Sequence, residues 1–180
     1  MKPVLSHLLR PADLSRRKAT HVRLVPDAGQ LEALADRLGV DALRKVRLEG
    51  ELRPGPGQDW VLDAALGATV VQPCRVTTDS VTTRIEEPLR RRYSPDYEVP
   101  AGDEAEMPED DSLEPLPAII DMGEVLEEAL ALSIPAFPRA SSAEGLDLSA
   151  TPPGAKPIED DKIRPFAALA ALKDRLQGKE

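Results

Sequence analysis

The chain has 180 residues, a formal net charge of −9, 41% hydrophobic residues and only 3% aromatic ones. That length suits one domain with tails, and 18 prolines, about twice the average usage of ~5%, predict aliphatic ordered regions separated by irregular ones. One cysteine excludes an internal disulfide, no apolar run approaches the ~18 residues of a membrane span, and the start lacks a signal-peptide apolar stretch, so a cytoplasmic protein is expected.

The charge is unevenly placed. Residues 1–53 hold 11 basic and 7 acidic side chains, whereas 101–180 hold 7 and 18. A net acidic chain argues against general nucleic-acid affinity, but the N-terminal part is locally positive.

In chain order, residues 1–19 form a lead-in with room for one short strand. Residues 20–25 alternate, with Val22 and Leu24 opposite His21 and Arg23, as in a half-buried strand. Asp27 stands at an N-cap position. Leu31, Leu34, Ala35 and Leu38 follow at helical spacing, and Gly39 is placed to end that helix in a left-handed conformation. A strand is predicted over 43–53, with Val46, Leu48, Gly50 and Leu52 on one face. The Pro-Gly-Pro-Gly turn at 54–57 leads into the longest β-prone run, 60–76, which contains Cys74. Gly67 marks a bulge or bend there. Gln72-Pro73 marks a pairing shift or an edge, beyond which 74–78 extends the strand. Residues 80–93 read as a third partner, Val81, Thr83, Ile85 and Leu89 inward and Arg84, Arg90 and Arg92 outward. Three long strands with short links predict an antiparallel meander.

Residues 94–117 change character: nine acidic and no basic side chains lie between 96 and 114. Such composition predicts a mobile insertion. Asp121 and Glu124 resemble a capping box opening a helix whose stripe is Met122, Val125, Leu126, Ala129 and Leu130. Residues 139–164 read as a flexible linker and 165–177 as a short terminal helix with Phe166, Leu169, Leu172 and Leu176 on one side, a stripe able to dock on a partner. The domain proper is therefore 20–138. The expected fold is α+β: an antiparallel β-meander sheet with helices packed on one face, plus disordered acidic and Pro-rich segments.

Few residues offer chemistry. Cys74 fits a nucleophile, a metal ligand or a buried core residue, and no second cysteine stands at zinc spacing, which favours the core. His7 and His21 have no partner at a recognisable spacing. The acidic clusters at 109–111 and 159–161 lack the spaced ligands and turn glycine of a calcium loop. No catalytic residue, metal or cofactor is expected. Arg90-Arg91-Arg92 is the one basic run, with Arg84, Lys45 and Arg47 near it across the expected sheet. Clustered cations suit phosphates; a solvated strand face paired with Glu86, Glu87, Glu49 and Glu51 is the other reading.

Three blocks occur in order: the 60–74 strand ending in cysteine; Ile120-Asp-Met-Gly-Glu-Val-Leu-Glu-Glu-Ala-Leu-Ala-Leu-Ser-Ile-Pro135 with Pro138; and Pro165-Phe-Ala-Ala-Leu-Ala-Ala-Leu172. Together they resemble the bacterial YceD family, large ribosomal RNA subunit accumulation proteins, over about 21–176. The resemblance implies a non-enzymatic factor for 23S ribosomal RNA accumulation and large-subunit assembly, with no catalytic residues to carry over. Many members have a second cysteine near this strand end; Cys74-Arg75-Val76-Thr77 keeps only the first. The expected partners are 23S precursor RNA, through Arg84, Arg90, Arg91 and Arg92 if contact is direct, or a large-subunit assembly protein. The alternative is a protein-interaction adaptor whose acidic insertion and C-terminal helix bind a basic or ribosome-associated protein. No membrane contact is expected.

Overall fold

The computed structural model describes residues 4–97, 112–143 and 153–154. The chain divides into two compact units, Met1–Glu144 and Gly145–Glu180; the second contributes only a turn at 153–154 to the described residues. The first unit is α+β. In order it runs β1 (Leu8–Leu9), a 3-10 turn (Pro11–Asp13), β2 (Thr20–Leu24), α1 (Ala28–Leu38), β3 (Ala42–Pro54), β4 (Trp60–Pro73), β5 (Ser80–Ser94), β6 (Leu113–Pro115), β7 (Ile120–Asp121), α2 (Met122–Ser133) and a second 3-10 turn (Ser141–Ala143).

Strands β2-β3-β4-β5-β6 form one sheet in that order, antiparallel except for the parallel β5–β6 pair. The meander predicted from alternation is therefore present. β6 falls inside the stretch expected to be an insertion at about 94–117, where Arg92 N–H donates to Ser112 and Leu116 N–H donates to Ser94. Residues 98–111 of that stretch lie outside the described residues, as do 144–152 and 155–164 of the expected linker and the whole of the 165–177 helix. The linker's expected start, 139–143, is instead packed, with Ala140 N–H bonded to Cys74 and Ala143 buried in the second 3-10 turn.

One sheet face is apolar and covered. Val22, Leu24, Leu48, Leu52, Leu62, Leu66, Ala68, Val70 and Ile85 are buried with Leu34 and Ala35 of α1 and Met122, Leu126 and Leu130 of α2. Each large aliphatic side chain so buried contributes about 1.5–3 kcal/mol. Trp60 closes one end of this core, with the Arg16 guanidinium 5.1 Å from its ring centroid.

The helix ends are satisfied locally. Asp27 and Gln30 form a full capping box, and Gly39 ends α1 at φ 66, where a side chain would be strained. For α2, the expected capping box with Glu124 is replaced. Asp121 accepts from Gly123 N–H (2.9 Å) and His7 N–H (2.8 Å) on one oxygen and from the Ser6 hydroxyl (2.6 Å) on the other. Burial alone would raise this carboxyl, but those donors hold it below its usual range. They also strap the N-terminal segment over the start of α2, where β1 pairs with β7.

Two further expectations are corrected. Residues 74–78 do not extend β4 but turn, with Thr78 N–H donating to the Cys74 carbonyl. The bulge lies in β3, between Arg44 and Arg47, and not at Gly67. Pro73 is accommodated at the end of β4, and Pro88 lies where, among the described residues, β5 has a neighbour on one side only.

The strap leaves no space at Gly123: an added Cβ would lie 2.7 Å from the Leu5 carbonyl carbon. Gly123→Ala is expected to destabilise the fold by about 1–3 kcal/mol through overpacking, measured by urea unfolding. Gly29→Ala, whose Cβ would meet only the Asp27 carboxylate at 3.6 Å, should leave stability unchanged or higher.

Candidate nucleic-acid interface

The second sheet face carries no helix among the described residues, and its side chains follow from register. Opposite Val61, Asp63, Gly67 and Thr69 of β4 stand Arg92, Arg90, Glu86 and Arg84 of β5, and Arg53, Glu51, Arg47 and Arg44 of β3. Directly opposed residues point to the same side. This face is thus an arginine–carboxylate lattice over a floor of small β4 residues.

At the turn end, Asp63 holds Arg53 (Nε 2.9 Å) and, more loosely, Arg90 (3.7 Å), while Arg92 pairs with the buried Asp59 at 3.0 Å. Arg90 is the most exposed of these three arginines, its side chain 70% exposed. At the bulge end, Arg47 crosses β4 directly above Gly67 and reaches Glu86 at 2.8 Å. A Cβ on Gly67 would stand 2.5 Å from the Arg47 guanidinium carbon, so glycine there lets the arginine lie close against β4. Glu86 also takes Arg84, whose other end donates to Thr69 Oγ1 at 3.2 Å. Arg84 first and Arg47 second hold the Glu86 carboxyl below the usual range. His21–Glu51 and Arg23–Glu49 complete the lattice at the β2 edge.

Of the four arginines predicted as phosphate contacts, three stand on this face, with Arg84 and Arg90 separated by five residues of β5. Arg91 does not join them. Alternation turns it to the covered side, where it is 9% exposed and bridges Glu114 of β6 and Glu128 of α2, each at 3.0 Å. Burial opposes its charge, yet the two carboxylates raise its pKa overall. Burial likewise raises Glu114, and with the adjacent Glu114 charge it pushes the Tyr93 hydroxyl up to about 12. Arg91 is a tie between sheet, β6 and helix, and is withdrawn from the phosphate-contact set. The expected partner-docking residues Phe166, Leu169, Leu172 and Leu176 lie outside the described residues.

Residues 62–173 match the family described as "Large ribosomal RNA subunit accumulation protein YceD". The chain belongs to the YceD family. No match is found among curated proteins or solved structures.

The YceD match includes the turn after β4, which is a compact knot. Cys74 is buried, and its Sγ accepts from the N–H groups of Val76 (3.4 Å), Thr77 (3.4 Å) and Ala140 (3.3 Å). Arg75 N–H donates to the Pro138 carbonyl, Gln72 reaches the Pro135 carbonyl, and Ser142 and Thr77 both donate to Asp79. Ser142 first, then Thr77, hold the Asp79 carboxyl below its usual range. Among the described residues no group of three His, Cys, Asp or Glu side chains is placed to hold a metal, and no helix is long and apolar enough to cross a membrane. Cys74 instead anchors the segment that follows α2.

The Thr77 hydroxyl, then the Ala140 and other N–H groups, pull the Cys74 thiol down to about 6 against the effect of burial. An unfolded thiol titrates near about 8.5. The thiolate contribution is therefore complete above that value and lost as pH falls through about 6. The stability difference between the unaltered chain and Cys74→Ala is expected to shrink steadily from pH 9 to pH 6 in urea titrations. A separate expectation concerns Arg91: Arg91→Ala should cost about 2–3 kcal/mol. That figure is discounted from the 3–5 typical of broken buried pairs because both carboxylates reach water. Arg90→Ala should change stability by less than about 0.5 kcal/mol.

Proposed function

We propose that this YceD protein is a non-enzymatic biogenesis factor of the large ribosomal subunit that promotes 23S ribosomal RNA accumulation by contacting precursor RNA through its open sheet face. Arg84, Arg90 and Arg92 are the phosphate contacts of this reading. The observation that carries it is the exposure of arginines from β3 and β5 on one uncovered face of a chain whose family is described by ribosomal RNA accumulation. Guanidinium forks bind phosphate oxygens in pairs and remain charged at all working pH values. The carboxylate partners of Arg84 and Arg90, Glu86 and Asp63, are half-exposed, so exchange for a phosphate at those two does not require burying a charge.

A second reading is supported by a different surface. Leu132 and Phe137, at the end of α2 and just beyond it, are 79% and 81% exposed. Two such residues five positions apart are compatible with a docking site only if they form one contiguous patch with further apolar surface. In that reading the acidic 98–111 segment engages a basic ribosome-associated protein, and the C-terminal stripe contributes to docking.

Crosslinking of the tagged protein in cells, followed by sequencing of the attached RNA, is expected to give a discrete peak on 23S precursor. That peak should fall in Arg84→Glu/Arg90→Glu. No enrichment over an untagged control, with normal protein levels, would reject direct contact. Deleting 98–111 separates the readings while sparing Glu114 and its tie to Arg91: RNA capture should persist or rise, whereas capture of a basic protein would be lost.

A further inference from the structure

We infer that the bulge end of the open face is a phosphate site built by Arg44, Lys45, Arg47 and Arg84, and that its ligand is an RNA backbone. The inference rests on the RNA-contact reading above and locates that contact.

The bulge is what assembles the group. Between the buried Leu43 and Val46, two successive residues, Arg44 and Lys45, are exposed. Regular alternation would have turned one of them into the core. Lys45 takes φ 50, a left-handed conformation uncommon outside glycine and asparagine. Arg44 is opposite Thr69, the residue whose hydroxyl receives Arg84 from the other neighbouring strand. Arg47, beyond the bulge, passes over Gly67 to Glu86. Arginines from the two strands flanking β4 thus converge across a sheet width of about 10 Å.

Charge balance distinguishes this end from the other. Arg53, Arg90 and Arg92 face two carboxylates, Asp63 and Asp59. Arg47 and Arg84 share Glu86, with Glu49 4.0 Å from Arg47 and closer, at 3.1 Å, to Arg23. Arg44 and Lys45 form no ion pair among the described residues. Glu86 occupies part of two guanidinium forks and holds their planes in position, so their remaining donors are presented with little further loss of side-chain freedom. Arg44 and Lys45 supply the uncompensated charge, and Gly67 lets the Arg47 guanidinium lie low across β4.

The test is titration of the full chain with an in-vitro 23S ribosomal RNA transcript across roughly 50–200 mM salt. Arg44→Ala/Lys45→Ala and Arg90→Ala are compared, folding is checked by circular dichroism, and poly-glutamate is the second probe. The double variant is expected to bind about tenfold more weakly at the lowest salt. Its log–log salt slope should be smaller by roughly 1.4–1.8, at about 0.7–0.9 per phosphate contact. Arg90→Ala should have a smaller effect, and poly-glutamate should not compete. If the double variant binds like the unaltered chain while Arg90→Ala is impaired, the proposed site is wrong and RNA contact stands. If the unaltered chain does not bind the transcript, both ideas fail. If poly-glutamate binds as tightly as RNA, the surface takes an acidic protein instead.

Discussion

A β-strand sends consecutive side chains to opposite faces, and the use of the Arg90-Arg91-Arg92 run follows from that constraint. Arg90 and Arg92 are delivered to the open face and Arg91 to the covered one, where Glu114 and Glu128 meet it. An arginine so buried is tolerable only with its carboxylates in place. The requirement therefore runs outward: β6 must return parallel to β5 to bring Glu114, and α2 must lie across the sheet to bring Glu128. The same α2 supplies Met122, Leu126 and Leu130 to the core. Its first turn then receives the N-terminal strap through Asp121, so one buried charge and one capping carboxylate link elements from both ends of the described unit.

Most of the fold was legible because its elements are long and strongly patterned. Val22/Leu24, Val46/Leu48/Leu52, Leu62/Leu66/Ala68/Val70 and Ile85 alternate over enough residues to mark the strands and their inner face. Asp27 and Gly39 bounded α1 by local chemistry alone. The lead-in does hold one short strand, β1, as expected; what was missed, β6, β7 and the β1–β7 pairing, is short and nonlocal. β6, and the β1–β7 pair, involve two or three residues each, joined across about 20 and more than 100 positions of sequence. Nothing periodic can announce a pairing of that length. Their stability comes from what they are attached to: Asp121 in one case, Arg91 in the other.

The open face was legible in part. Pairing of its arginines with Glu86 and Glu49 was foreseeable once strands were assigned, and extending the inward series from Ile85 and Leu89 by one step turns Arg91 inward. The bulge was not foreseeable. Val46 and Leu48 alternate as well after a bulge as without one, and only the upstream register changes. That change turns Arg44 and Lys45 into neighbours on the exposed side. Gly67 was read as a backbone feature of β4, but its nearest neighbour is the Arg47 guanidinium from β3, which lies close over it.

The two ends of the open face differ in what their charges do for the fold. Arg92 serves Asp59, an acid buried beside the β3–β4 turn, and Arg53 and Arg90 share Asp63, so cations at that end are engaged in balancing nearby acids. At the bulge end Arg47 and Arg84 converge on a single half-exposed glutamate, while Arg44 and Lys45 form no ion pair among the described residues. Surface ion pairs of this kind contribute about 0–1 kcal/mol each, too little to explain four cations gathered there for stability. A strained, cation-bearing bulge in an otherwise regular strand is better accounted for by what it presents than by what it holds together. The opposite face supplies the rigidity that such a presentation needs, because the sheet beneath the bulge is anchored by Leu43, Val46 and Leu48 in the core.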